Sequence, residues 1–136
     1  MIGLDSNVVV RYIVQDDEKQ ALLATEFIET ECTQSSPGFI SHIVLCEVIW
    51  VLKSCYSASK AQLLGLVENL LQIRQLQLEY PEVVWQALRL FRSSKADFSD
   101  VLIYVLNSNR YECQYTATFD AKAAELADMH LVGAWT

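Results

Sequence analysis

The sequence predicts an α/β domain built around a mainly parallel sheet. Three observations carry that expectation. Short extended apolar runs alternate along the chain with segments of helical periodicity. No repeat, linker or low-complexity segment interrupts them. The 136 residues suffice for one sizeable core and are too few for two ordinary domains, so residues 1–136 are expected to form a single domain.

The elements follow in order. Residues 1–5 read as a short buried strand, 8–14 as a helix, and 16–32 as a longer helix in which Ala21, Leu22, Ala24, Phe27 and Ile28 recur at helical spacing. "QSSPG" reads as a turn and "FIS" as a second strand. Residues 43–56 form a helix that is apolar nearly all round, so it is expected to be deeply buried. Ser59 and Gln62 fit a capping box that opens a helix to about Ile73. "QLQLEY" alternates like a strand with one buried face. Pro81 then stands at the favoured first position of a helix to about Ser94. Residues 97–110 read as a helix, "QYTATF" as a strand, 120–128 as a helix, and "LVGAWT" as a last edge strand.

Composition narrows the function classes. The net charge of −7 argues against a protein that grips nucleic acid through a broad basic surface. It leaves room for a nuclease whose acids gather around metal: two divalent cations, adding four positive charges, would reduce −7 to −3. No apolar stretch is long enough to span a bilayer, and the N-terminus lacks the basic and small-residue marks of a signal peptide. A cytoplasmic protein without membrane association is the expectation. Cys32, Cys46, Cys55 and Cys113 are irregularly spaced with no zinc-type pairing, which points to structural thiols. His42 and His130 suggest no role.

Candidate chemistry lies in the acids. Ligands of such sheets bind beyond the carboxyl ends of strands. Asp5 ends the first strand and Asp120 ends "QYTATF"; each is also a good helix N-cap, and a cap needs only one oxygen. Glu47 lies within "IVLCEVIWVL", where an ionised carboxylate requires a partner: a cation, or a core base such as Arg11. Asp97 and Asp100 stand three apart at a helix start, able to face one way or to answer the helix dipole. Hard oxygen ligands without Cys or His select Mg²⁺ or Mn²⁺, and such a set suits phosphodiester hydrolysis.

The blocks "IGLDSNVVVRYIVQDD", "ISHIVLCEVIWVL", "ADFSDVLIYVLN" and "TATFDAKAAELA" resemble, in order and across the whole chain, those of the PIN-domain ribonucleases, specifically VapC-type toxins of toxin–antitoxin pairs. The ordered set is specific where no single block is. The resemblance places the family's four acids on Asp5, Glu47, Asp100 and Asp120. Asn7 falls in the small polar pair after the first acid, Thr118 is the hydroxyl residue two before the last, and Asp97 is an additional acid. It implies a three-layer α/β/α fold with a short, mainly parallel central sheet. It further implies an Mg²⁺-dependent endoribonuclease (Mn²⁺ substituting) that cuts RNA, forms a homodimer and is silenced by a cognate antitoxin.

Haloacid-dehalogenase-type phosphatases share an Asp after the first strand but need a second Asp two residues on, where this chain has Asn7. A receiver domain needs a Lys at the last strand end, which "LVGAWT" lacks. The alternative from another class is a non-catalytic protein that keeps the fold and binds a partner. Retention of all four acids argues against it.

Overall fold

A two-residue strand opens the chain because Asp5 stops it. In the computed structural model, which describes residues 1–133, β1 spans only Ile2–Gly3, with Ile2 half-buried and Gly3 exposed. The expected five-residue buried strand is thus shortened, and only Leu4 is buried. Asp5 takes extended backbone geometry and caps α1 (Ser6–Ile13), its carboxylate accepting from the Ser6 N–H. Asp17 likewise caps α2 (Glu18–Thr30). Ala21, Ala24 and Ile28 face inward, whereas Leu22 and Phe27, expected on the same stripe, are exposed.

The chain divides into two compact units, Met1–Pro81 and Glu82–Thr136. In the first, β1 pairs in parallel with β2 (Gly38–Ile40), and β2 with β3 (Leu76–Leu78), giving the order β1-β2-β3. Helices connect them: α3 (His42–Tyr56) follows β2, and α4 (Lys60–Gln72) leads into β3. Ser59 and Gln62 form both bonds of the expected capping box, at 3.1 and 2.8 Å. Leu76 and Leu78 are buried and Gln77 half-buried, as the alternation requires.

Gly38 sits where the sheet is tightest. A methyl group there would meet Leu4 Cδ1 at 2.8 Å, Cys32 Sγ at 3.0 Å and Leu76 Cδ2 at 3.2 Å. Leu4 can swing aside only at the expense of its own packing. Gly38→Ala is therefore expected to cost about 1–2 kcal/mol by overpacking. In a thermal melt this reads as a fall of about 5 °C. An unchanged melting temperature would show that the neighbours give way freely.

His42 and Glu79 tie the end of β3 to the start of α3. The Glu79 carboxylate accepts from the His42 backbone N–H at 2.8 Å, so an anion stands at the helix N-terminus. The His42 ring Nε2 donates to the Glu79 carbonyl at 2.6 Å, which fixes the tautomer, since a carbonyl only accepts. His42 thus has a structural role that the sequence did not suggest. Tyr80, next in the chain, takes a left-handed φ of 40° and sets its ring edge-on to His42.

In the second unit, α5 (Pro81–Ser93, its first residue belonging to the first unit) and α6 (Phe98–Asn109) bury Val84, Leu88, Val101 and Val105. Phe91 and Phe98 meet edge to face at 5.5 Å. β4 (Thr116–Thr118) pairs in parallel with β5 (Met129–Leu131). The described strands are all parallel, but they form two ladders rather than one.

Two expectations are corrected here. The helix expected over residues 120–128 is only a 3-10 turn, Ala123–Glu125, because the chain must turn back to place Met129 beside Thr116. The last strand begins two residues before "LVGAWT" and shares only Leu131 with it, while residues 134–136 of that expectation lie outside the described residues. All four cysteines are free; Cys32 is buried and its thiol is pushed up by burial and by Glu31, while Cys55 and Cys113 are exposed. A structural thiol describes Cys32, not those two. Among the described residues no helix is long and apolar enough to cross a membrane.

Candidate active site

The acids of the first unit meet through a hydroxyl. Asp5, exposed at the N-terminus of α1, accepts the Ser6 N–H on Oδ1 at 2.7 Å. Ser6 Oγ donates to Glu47 Oε2 at 2.9 Å and lies 3.4 Å from Asp5 Oδ1. One serine thus reaches both carboxylates and leaves the second oxygen of each to other partners. Sequence reasoning chose Asn7 of the Ser6–Asn7 pair; Asn7 is exposed, and the linking group is Ser6. Only the contact between α1 and α3 reveals this, since Ser6 is 41 residues from Glu47.

Glu47 itself is exposed, which corrects the deeply buried helix. Ile43 (74% exposed), Glu47, Trp50 (66%) and Ser54 form one open stripe along α3, while Leu45, Val48, Ile49 and Leu52 face the core. Glu47 therefore needs no buried base, and Arg11 is engaged elsewhere. Its Nε donates to Gln20 at 2.6 Å, and a terminal nitrogen pairs with Asp16 at 3.4 Å. Tyr56 donates to the same Asp16 at 2.9 Å, and that bond holds its phenol above the usual tyrosine range. Asp5, Arg11, Leu23, Phe27, Val51 and Tyr56 line an apolar groove of about 920 Å³.

The acids of the second unit meet through their charges. Burial first, then Asp120, then Asp97, push the half-buried Asp100 carboxyl above its ordinary value of 3.8. Asp100 lies in the first turn of α6; Asp97 is the residue before that helix and makes no side-chain cap to it. Asp120 is exposed and firmly held: Oδ1 accepts from the Lys122 N–H at 2.8 Å and the Ala123 N–H at 3.0 Å. Thr118 Oγ1 accepts from the Asp120 N–H at 3.0 Å, so Thr118 fixes the backbone of this acid rather than its carboxylate. The capping reading of Asp5 is thus realised on one oxygen with the other left over, while Asp120 instead holds the turn before a 3-10 segment whose own N-cap is Lys122.

Carboxylates unmixed with imidazole or thiolate are the donor set of a hard divalent cation. A cation would offset both the burial of the Asp100 carboxylate and its repulsion by Asp120 and Asp97, so the chemistry of these donors fits the group. Within the second unit Asp100 and Asp120, and within the first Asp5 and Glu47, are the acids whose donor chemistry suits it. Among the described residues no three such groups stand close enough to enclose an ion as they are.

Because the folded-state pKa of Asp100 is raised, the folded protein holds its proton more tightly than the unfolded chain does. Without metal, the contribution of Asp100 to stability is therefore fully present below about 3.8 and is lost as pH rises through the shifted value. Asp100→Asn removes that loss. The group is partly solvated, which discounts the effect to a fraction of a kcal/mol. Melts in EDTA should show the variant about 2 °C more stable than wild type at pH 7 and level with it near pH 3. A variant less stable at pH 7 would mean that the charge is not strained.

The family profile of the PIN domain matches residues 2–129. No curated protein and no solved structure matches this chain significantly. The parallel ladders, the six helices between them and this match across nearly the whole sequence agree: the chain belongs to the PIN-domain family and has an α/β fold consistent with its three-layer α/β/α arrangement.

Proposed function

We propose that this protein is an Mg²⁺-dependent endoribonuclease, with Mn²⁺ able to substitute, that hydrolyses RNA phosphodiester bonds using Asp5, Glu47, Asp100 and Asp120. PIN domains are generally metal-dependent nucleases, which supports nuclease activity in general. The observation that supports the finer reading is the half-buried Asp100 carboxyl, pushed up by burial first and then by the neighbouring charges of Asp120 and Asp97. Residues 1–136 form a single domain in this reading, which the profile match over residues 2–129 supports.

A divalent cation, when bound, supplies Lewis-acid stabilisation of charge on the phosphate and eases deprotonation of the attacking water. The chain's own residues do the remainder. Ser6 orients Asp5 and Glu47 by occupying one oxygen of each. The Lys122 and Ala123 amides aim Asp120, and Thr118 fixes the turn that carries it. Glu47, open to solvent, would bind the cation directly or through water and orient the attacking water. Asn7 and Asp97, both exposed, are supporting groups in this reading.

As the resemblance implies, the protein serves as the toxin of a toxin–antitoxin pair in the cytoplasm, as a homodimer. The apolar groove that begins at Asp5 supports an antitoxin segment that lays apolar side chains against Leu23 and Phe27 and presents an Arg to the acids. Incubation of purified protein with total RNA tests the function: cleavage with Mg²⁺ or Mn²⁺, lost in EDTA, is expected. Cleavage undiminished by EDTA would sink the mechanism, and RNA binding without cleavage in either cation would leave a non-catalytic binder.

A further inference from the structure

The second unit carries an aromatic surface that the acids do not use. From residue 115 to 119 exposure alternates with the pleat: Tyr115, Ala117 and Phe119 are exposed, Thr116 and Thr118 half-buried. Ala117 is in register with His130 on β5, so both side chains stand on one face of the ladder. The Tyr115 and His130 rings stack there at 4.4 Å and 14°. The Val132 N–H donates to the Thr118 carbonyl at 2.8 Å, carrying the ladder past the strand and adding an exposed Val132 to that face. Phe119 is 83% exposed, more than any other large apolar side chain among the described residues.

Scattered exposed apolar residues need no explanation. A stacked Tyr115–His130 pair beside a small exposed Ala117, with the exposed Phe119 just past the strand, is different. Tyr115 directly precedes β4 and Phe119 follows it in a bend, so two exposed rings flank the strand. Such rings suit unpaired bases stacking against them, as on the sheets of single-strand RNA readers. Phe119 directly precedes Asp120, so a base on its ring places the adjoining phosphate within one nucleotide of that acid. Lys122, exposed two residues further on, offers the backbone a positive charge. Rings would also suit a protein partner; the adjoining Asp120 and the exposed Lys122 favour RNA.

We infer that the outer face of β4 and β5 is a stacking surface for unpaired bases of the RNA substrate, with Phe119 seating the base nearest Asp120 and the Tyr115–His130 stack seating a neighbour. The inference rests on the ribonuclease reading above. Its test is fluorescence anisotropy with a labelled single-stranded RNA decamer carrying 2′-O-methyl riboses, alongside steady-state cleavage. Phe119→Ala and Tyr115→Ala are each expected to weaken binding about tenfold. KM should rise in step while kcat holds. Phe119→Leu, which keeps apolar bulk without a π-face, should bind as poorly as the alanine variant, and Phe119→Tyr should bind like wild type. In Phe119→Trp, added decamer should quench fluorescence beyond the change in wild type. Wild-type affinity in Phe119→Ala and Tyr115→Ala, with wild-type protein cleaving RNA, overturns the inference and leaves the nuclease standing. A wild-type protein that neither binds nor cleaves RNA overturns both. Variants whose mass in light scattering changes while RNA affinity does not would assign this face to self-association instead, and overturn the inference too.

Discussion

Asp5→Asn is expected to lower RNA cleavage about a thousandfold, the loss that corresponds to several kcal/mol of transition-state stabilisation. The fold should persist. Asn keeps an oxygen where Asp5 Oδ1 accepts from the Ser6 N–H at 2.7 Å, and Asn and Asp cap helices about equally well. What the variant loses is charge, which only a cation-binding role needs. Cleavage of a defined RNA by both proteins, with circular dichroism melts run in EDTA, separates the two roles. Equal activity with equal stability would reduce Asp5 to a cap. Lost activity with a collapsed melting temperature would mean that the structure around Ser6 depends on the charge.

Saturating Mg²⁺ is expected to raise the melting temperature of wild type by about 10 °C. A ligand that binds only the native state stabilises by RT ln(1 + [L]/Kd), about 2.7 kcal/mol at a hundredfold excess over Kd. For a chain of this size that corresponds to roughly 8–13 °C. Asp100→Asn should lose most of the rise while starting from a slightly higher value in EDTA, because its carboxyl is the one its neighbours strain. Asp5→Asn should lose most of it as well, although Asp5 belongs to the other compact unit. That pairing is the discriminating outcome. A magnesium response abolished by Asp100→Asn and untouched by Asp5→Asn would confine the cation to the second unit and break the four-acid reading. No response in wild type at millimolar Mg²⁺ would remove the metal altogether.

What was legible in the sequence follows from local rules. The capping box at Ser59 and Gln62, the helix opening at Pro81, and the Leu76–Leu78 alternation depend on residues within one turn or one pleat, so the chain states them directly. The ordered blocks that carry the family resemblance are equally local, and the family match runs across residues 2–129. Other features were decided by contacts between distant segments. Glu47 is exposed because α3 buries only one side, and which side is set by what packs against it, not by its uniformly apolar sequence. Ser6 rather than Asn7 joins the acids because α1 packs on α3. The expected helix after Asp120 gives way to a 3-10 turn because β5 must return to pair with β4, and several ladder and turn hydrogen bonds outweigh a few residues of helical propensity. His42 gained its role in the same way, through Glu79, 37 residues further on. A residue's type and spacing are written in the sequence; its exposure and its distant partner exist only once the elements have packed.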